Sequence, residues 1–584
     1  MNILDIKSPA DIKKLPVDEL PELCAELRKH LLTKLANHGG HTGPNLGFLE
    51  ATVALHYVFD APADKLVFDV SHQTYVHKML TGRVQAFASA EHYDDVTGYT
   101  NPGESNYDLF EIGHTSTSVS LASGLATARN MTGGKEENVV AIIGDGSLSG
   151  GQAFEGLDYA ATLKSNFIVV VNDNDMSIAE NHGGLYDTLR HLRDTNGQGE
   201  PNYFRSLGFE YMFVKYGNDV RSLVEAFRKV KDSETPVVVH VATQKGMGFA
   251  PAEADRESFH YTGTFDIATG APLHISEAPD WTDIFYRTME PMLAADPKVA
   301  VITAGTPGAI GFDKARRDHV GKQFIDVGIA EQQAVALASG MAKGGTRPVF
   351  GVVSSFIQRA YDQLSQDVAI NNTPVVVNIV YAGINSMTDV THLGWFDIAL
   401  ISNIPGWVFL APTCLEEYQS MLRWAVGQTE HPIVVRQPSG AVWITGKEFT
   451  QDYSKLNRSS VCRKGSKVAL IAAGSMFRNA FEAAETLAAE GKDVTLINPV
   501  FLSGIDSALL EALKADHHTV ITLEDGILDG GYGEKIARFY GDSDMKVICR
   551  GVEKKFLDGY SASAVYADCR MTVEAIVSDV KAIY

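Results

Sequence analysis

The sequence predicts an α/β protein built from three open, mostly parallel sheets. Three observations carry this expectation. The 584 residues exceed what a single core organises. Short apolar runs alternate with helically spaced segments along the chain. Two of these runs, Val139–Ile143 and Phe167–Val171, flank a helically spaced stretch, Gln152–Leu163, and together they read as a β-α-β unit.

The first region runs from the N-terminus to about residue 275 and alternates helical stretches with β-rich runs. Thr269-Gly270-Ala271-Pro272 through Pro279 is polar and rich in helix breakers, as a linker is. A second α/β region follows, with strand candidates Val299–Thr303, Pro348–Val353 and Val375–Val380, and a helix over Glu331–Lys343. After the polar, basic stretch Lys447–Lys467 comes a third unit. It reads as strand Val468–Ala472, helix Phe477–Glu490, strand Val494–Ile497, strand Thr519–Leu523 and the turn-rich Asp529-Gly530-Gly531-Tyr532-Gly533. The expected domains are 1–275, 276–455 and 456–584.

A formal net charge of −22 and the absence of a Lys/Arg cluster argue against nucleic acid as a partner. Cys24, Cys414, Cys462, Cys549 and Cys569 are scattered and form no Cys-x-x-Cys pair, so neither a disulfide framework nor a zinc site is expected. Met1–Val17 is charged, broken by prolines, and lacks the apolar centre of a signal peptide. No segment approaches the ~18 uncharged apolar residues of a membrane span. A cytoplasmic protein without a membrane partner is the expectation.

The β-α-β unit carries chemistry. Gly144-Asp145-Gly146 ends its first strand and Asn172-Asp173-Asn174 its second, at the carboxyl edge where open sheets place ligands. Asp145 offers a charged oxygen ligand and Asn174 a neutral one. The glycines let the backbone approach a phosphate. A magnesium-bound diphosphate suits this donor set.

The same pair resembles the thiamine-diphosphate signature, and the resemblance widens along the chain. Its motifs are Gly39-Gly40-His41-Thr42-Gly43-Pro44-Asn45-Leu46-Gly47, Asp69-Val70-Ser71-His72-Gln73 with His77-Lys78, and Gly113-His114-Thr115-Ser116-Thr117-Ser118. They continue with Asn172–Ile178, Lys245-Gly246-Met247-Gly248, Pro251-Ala252-Glu253, Asp326-Val327-Gly328-Ile329-Ala330-Glu331-Gln332 and Ser355–Gln363. Over nearly its whole length the chain resembles the 1-deoxy-D-xylulose-5-phosphate synthases, thiamine-diphosphate enzymes of the transketolase group. That family couples pyruvate to glyceraldehyde 3-phosphate and releases carbon dioxide.

The resemblance implies three α/β domains of the transketolase type. These are an N-terminal diphosphate-binding domain, a pyrimidine-binding domain with the cofactor between the two, and a C-terminal domain. It also implies a homodimer acting on small-molecule substrates. By the same resemblance Glu331 holds the cofactor's pyrimidine nitrogen and so its reactive tautomer. Phe356 stacks on that ring. Asp145, Asn174 and the backbone carbonyl of Met176 bind magnesium. Gly146 and Ser147 face the diphosphate, and His72, Gly113, His114 and Thr115 line the site from the other side. Phe249 and Arg359 complete the cofactor set. His41, His260 and His392 match active-site histidines, whose ordinary pKa suits proton transfer to and from the reacting oxygens.

The departures from the family cluster at the acceptor's phosphate. Where the family has Arg-Ala-Gly, Tyr-Pro-Arg-Gly and Tyr-Ser-Thr-Phe, this chain has Tyr381-Ala382-Gly383, Gln437-Pro438-Ser439-Gly440 and Val353-Ser354-Ser355-Phe356. Losing a buried charged partner costs roughly 2–5 kcal/mol. Two lost arginines therefore weaken phosphate binding by on the order of a thousandfold or more. No Lys or Arg occurs in Tyr381–Ile398. By the same comparison a family aspartate becomes Thr388, for which the adjacent Asp389 can substitute, a family histidine becomes Gln333, and the segment after Asn181 is shortened. The expected activity is a pyruvate-dependent carboligase. The alternatives are a paralogue with another, unphosphorylated acceptor that Tyr381, Ser439 and Asn385 would hydrogen-bond, a transketolase-like ketol transferase, and a cofactor-binding protein without catalysis.

Overall fold

The computed structural model describes residues 2–133 and 137–584; Met1, the first residue of the N-terminal stretch, lies outside them. Among the described residues, sixteen strands form three sheets. The chain divides into two compact units, Met1–Glu277 with Gly328–Ala330, and Ala278–Val327 with Glu331–Tyr584. No described helix is long and apolar enough to cross a membrane.

The first unit holds strands β1 (Lys65–Phe68), β2 (Val139–Gly144), β3 (Phe167–Asp173), β4 (Glu210–Val214) and β5 (Pro236–Ala242). They pair in parallel in the order β1-β2-β3-β5-β4. β2 and β3 are continuous apolar runs because both faces of a parallel sheet are covered by helices. Val139–Ile143 and Phe167–Val171 are accordingly fully buried. The predicted helix between them spans Gly151–Ala160, after a 3-10 turn at Gly146–Ser149.

The second unit contains two sheets. One comprises β6 (Val299–Thr303), β7 (Phe324–Asp326), β8 (Arg347–Val353), β9 (Val376–Val380), β10 (Val408–Leu410) and β11 (Ile433–Arg436). All are parallel, in the order β10-β11-β9-β8-β6-β7. Helix Glu331–Lys343 buries Ala334, Val335, Ala338 and Ala342, one face at helical spacing. The other sheet comprises β12 (Ser460–Arg463), β13 (Lys467–Ala472), β14 (Thr495–Asn498), β15 (His517–Ile527) and β16 (Lys546–Val552), in the order β12-β14-β13-β15-β16. One apolar cluster joins side chains of both sheets, among them Ile302, Phe350, Ile379, Ile471 and Val520. That shared core is why the two sheets form a single compact unit.

Two elements differ from the sequence reading. β12 lies inside the polar stretch Lys447–Lys467 and pairs antiparallel to β14 at the sheet edge. An edge strand is half solvated and needs no apolar run. β15 extends beyond Leu523 through Glu524 and Asp525, both 1% exposed. Polar residues conceal a buried strand when each has a partner. Glu524 accepts from the Tyr532 and Gly533 N–H groups at 2.8 Å, and Asp525 pairs with Arg436.

Candidate active site

In the first unit, the register Gly144↔Asn172 sets Asp145 beside Asp173 and Asn174 at neighbouring strand ends. Asp145 is buried, and its Oδ2 accepts from the Met176 N–H (3.0 Å) and Asn181 Nδ2 (2.7 Å). Burial, reinforced by the charge of Asp173, pushes its carboxyl above the usual range. Asn174 Oδ1 is buried with no hydrogen-bond partner among the described residues. An orphaned carbonyl beside a buried carboxylate forms a pair of oxygen donors suited to a hard cation. Among the described residues no group of three or more His, Cys, Asp or Glu side chains could hold a metal. A magnesium ion that keeps phosphate and water ligands needs no such group. At Gly146 a Cβ would sit 2.8 Å from Ser177 Oγ, so this position requires glycine.

Asp173 is held differently. Its carboxylate meets His240 Nε2 at 2.7 Å and Arg193 at 2.7 Å, and Tyr211 OH meets His240 Nδ1 at 2.8 Å. Burial raises the Asp173 carboxyl, but His240 and Arg193 outweigh it and hold the group below its ordinary value. Arg193 sits on helix Gly184–Asp194, so the shortened segment after Asn181 folds into the helix that anchors this strand end. Lys245 is buried as well. Its Nζ donates to the Ser177 carbonyl at 2.7 Å, and burial lowers its pKa to about 7.

Asp69 follows β1 and gathers the remaining loops. Its carboxylate accepts from Ser116 N (2.8 Å) and Ser118 N (2.9 Å), while Ser116 Oγ donates to the Ser147 carbonyl (2.8 Å). Val70, Ser71 and Ser116 have φ of +57°, +65° and +77°. Left-handed backbone at non-glycine residues costs roughly 1–3 kcal/mol each and persists where surrounding bonds enforce it. This network brings Gly113, His114, Thr115 and Ser147 to one side of the site. Asn45 Nδ2 donates to the carbonyls of both His41 and His72 at 2.7 Å. The rings of His41, His72 and His260 then cluster at 5.1, 5.4 and 5.8 Å between centroids. Burial, helped by Lys245 and the two other imidazoles, holds His260 well below its ordinary pKa and therefore neutral near pH 7. Phe249 packs among aromatic rings. It lies 5.6 Å from both Phe259 and Phe265 in the apolar core.

In the second unit, Glu331 is 2% exposed at the start of its helix, 3.4 Å from Arg359. Burial raises its carboxyl above the ordinary value although Arg359 opposes the shift. Phe356 follows β8 and meets His392 edge-on at 5.4 Å. His392 Nδ1 is held by Asp389 at 2.8 Å, so Asp389 provides the carboxylate that Thr388 lacks. Burial raises Asp389, but His392 and Thr391 outweigh it and keep it ionised. The registers Val353↔Val380 and Ile379↔Arg436 align the ends of β8, β9 and β11. Ser355, Tyr381 and Ser439 thus follow on one sheet edge, with Tyr381 left-handed at φ +52°. Arg436 is sealed by Asp397 (2.7 Å) and Asp525 (2.5 Å).

Sequence reasoning assigned no role to Asp69, Lys245, His240, Arg193 or Arg436, and named Asp389 only as a neighbour able to stand in for the aspartate missing at Thr388. A signal existed for His240, a lone polar residue inside the apolar run Val237–Val241, where a buried imidazole needs a partner. For Arg193 there was none, since its partner is 20 residues away and defined only by folding.

Family comparison follows the same division. A family model described as 1-deoxy-D-xylulose-5-phosphate synthase matches residues 3–200 and 195–243. The transketolase pyrimidine-binding domain matches 277–442, and the transketolase C-terminal domain 458–576. The 1-deoxy-D-xylulose-5-phosphate synthase of Pelotomaculum thermopropionicum is 38% identical over 98% of this chain and 95% of its own. Those of Desulforudis audaxviator (38%, covering 99% and 97%) and Symbiobacterium thermophilum (39%, covering 96% and 91%) are similar in extent. By its length, domain matches and shared motifs, the chain belongs to the 1-deoxy-D-xylulose-5-phosphate synthase family.

Proposed function

We propose that this protein is a thiamine-diphosphate-dependent carboligase that decarboxylates pyruvate and transfers the two-carbon unit to an aldehyde. The buried, unpartnered Asn174 Oδ1 beside Asp145 carries the reading. It is the donor pair that a magnesium diphosphate needs, at the end of the sheet where the family binds one.

When bound, thiamine diphosphate supplies a nucleophilic carbon and an electron sink for decarboxylation. Asp145, Asn174 and the Met176 carbonyl would hold magnesium. Gly146, Ser147, Gly113, His114, Thr115 and His72 would surround the diphosphate. Glu331, kept protonated more readily by burial, would hydrogen-bond the pyrimidine nitrogen, with Arg359 orienting it and Phe356 against the ring. His392, aligned by Asp389 at Nδ1, would deliver a proton from its ring to the acceptor's developing alkoxide. Neutral His260 would accept hydrogen bonds without adding charge, beside His41. A homodimer is the assembly we propose. Phe154 and Tyr159, each 49% exposed on helix Gly151–Ala160, offer it an apolar face, and sedimentation at micromolar concentration tests it.

The test is carbon dioxide release from pyruvate by protein loaded with thiamine diphosphate and magnesium, with and without an aldehyde. Aldehyde-stimulated release with an acyloin product is expected. Release that never occurs, with ketol transfer from a ketose phosphate instead, overturns the reading in favour of a transketolase.

A further inference from the structure

At the carboxyl edge of the second unit's parallel sheet, past the end of β11, lies a cavity of about 320 Å³. Trp281, Asn385, Ser439, Trp443, Arg478 and Tyr566 line it. Ser439 Oγ and Trp281 Nε1 are buried and have no hydrogen-bond partner among the described residues. A buried polar atom left unsatisfied is destabilising, so the lining suits a molecule with its own donors and acceptors.

Charge decides what kind. Among the described lining residues Arg478 is the one cation, and its Nε donates to Glu482 at 3.0 Å on the same helix, Met476–Ala489. Arg436, the buried guanidinium at the end of β11, is paired twice, with Asp397 and Asp525. Asn385 Nδ2 donates to Tyr566 OH at 2.8 Å, and Ser475 Oγ to Asp525 at 2.5 Å. The cavity therefore presents mostly neutral hydrogen-bonding groups, and its one cation is half-exposed and ion-paired with Glu482. A phosphate dianion would lose its water without gaining the forked cationic donors that hold it. An uncharged hydroxylated molecule loses less and pairs the orphaned atoms.

The cavity also shares a loop with the proton donor. Asn385 lies on the segment after β9 that continues to Asp389 and His392, closed by Gly383 N donating to Gly394 O at 2.7 Å. β11 lies two strands from β8, whose end carries Phe356, a separation of about 10 Å along the sheet edge.

We propose that this cavity is the acceptor site of the carboligation and that its ligand is an uncharged short-chain hydroxyaldehyde, not a sugar phosphate. The proposal rests on the carboligase reading above. In the step it serves, the bond between C1 and C2 of pyruvate breaks and C1 leaves as carbon dioxide. The electron pair of that bond forms the new carbon–carbon bond to the aldehyde carbon. The aldehyde oxygen takes one proton, giving an α-hydroxyketone.

The experiment compares D-glyceraldehyde with D-glyceraldehyde 3-phosphate as acceptors for the loaded protein, with KM and kcat separated. A kcat/KM at least tenfold higher for glyceraldehyde, carried by KM, is expected. Ser439→Arg should move that ratio at least tenfold towards the phosphate. If Ser439→Arg fails to fold, Glu482→Gln, which releases Arg478, should move it the same way. Preference of the unaltered protein for the phosphate overturns the proposal and leaves the carboligase reading standing. If pyruvate is not consumed with either acceptor, that reading fails, and tryptophan fluorescence decides the cavity alone through Trp281 and Trp443. Saturable quenching by glyceraldehyde but not by its phosphate, lost in Ser439→Arg, supports the site. No quenching by glyceraldehyde overturns it.

Discussion

The ends of β2 and β3 in the first unit and the ends of β9 and β11 in the second are both carboxyl edges of parallel sheets, but they are furnished differently. At the first, charged groups are fixed from several sides. Asp173 is bound by His240 and Arg193, and Asp69 by two backbone amides. At the second, the charges that line the cavity cancel, and the unpartnered atoms are a hydroxyl and an indole N–H. A site for a charged cofactor must hold its own ions rigidly, because each displaced buried charge is expensive. Single neutral polar atoms, Asn174 Oδ1 at the first edge and Ser439 Oγ at the second, can be left waiting at the smaller cost of a neutral hydrogen bond.

The contrast can be broken or sharpened by measurement, the largest effect first. Glu331→Ala should lower turnover by about 10²–10⁴-fold with the fold intact, since it removes the carboxyl that tunes the cofactor; steady-state kinetics beside a thermal melt checks this. His240→Phe should cost about 3–5 kcal/mol of stability in a denaturant titration, because it strips a buried partner from Asp173. Asn174→Ala should raise the magnesium concentration needed for half-maximal activity by roughly 10–100-fold, by analogy with losses at metal sites. Titrating activity against magnesium measures it, and an unchanged requirement would remove Asn174 from the metal site.

In contrast to the His240 loss, Glu482→Gln should change stability by less than about 1 kcal/mol, because the Arg478–Glu482 pair is 46% and 48% exposed and solvent screens it. A pH dependence in the first unit is an effect of about 1 kcal/mol per histidine at pH 5.5. His56 is buried against His77, and burial holds it well below its ordinary value of 6.5. The unfolded chain therefore takes the proton first. The stabilisation is whole above about pH 6.5 and lost as pH falls below it. Chemical denaturation at pH 7.5 and pH 5.5 should show the loss, and His56→Gln, which keeps an amide for the hydrogen bond, should reduce it, the remainder coming from His260 and His77.

Much of the first site was legible because its residues are local. Gly144-Asp145-Gly146 and Asn172-Asp173-Asn174 follow unbroken apolar strands, and a strand end in a parallel sheet is a position readable from one dimension. Glu331 was legible for the same reason, standing at the first turn of a helix with an unmistakable apolar face. The packing of Phe249 against Phe259 and Phe265 was not legible, because an aromatic before a short helix does not name its neighbours. β12 was concealed because edge strands carry no apolar signature.

By itself the sequence determined the alternation of strands and helices and the oxygen donors at two strand ends. These depend on periodicity and residue chemistry, which are properties of neighbours in the chain; that Tyr381 and Ser439 stand where arginines are expected came from the family resemblance. Tertiary structure alone decided that Arg193 and His240 lock Asp173, and that Arg478 pairs with Glu482 beside a cavity. Hydrogen bonds and ion pairs act over about 3 Å, and folding chooses which distant residues come that close.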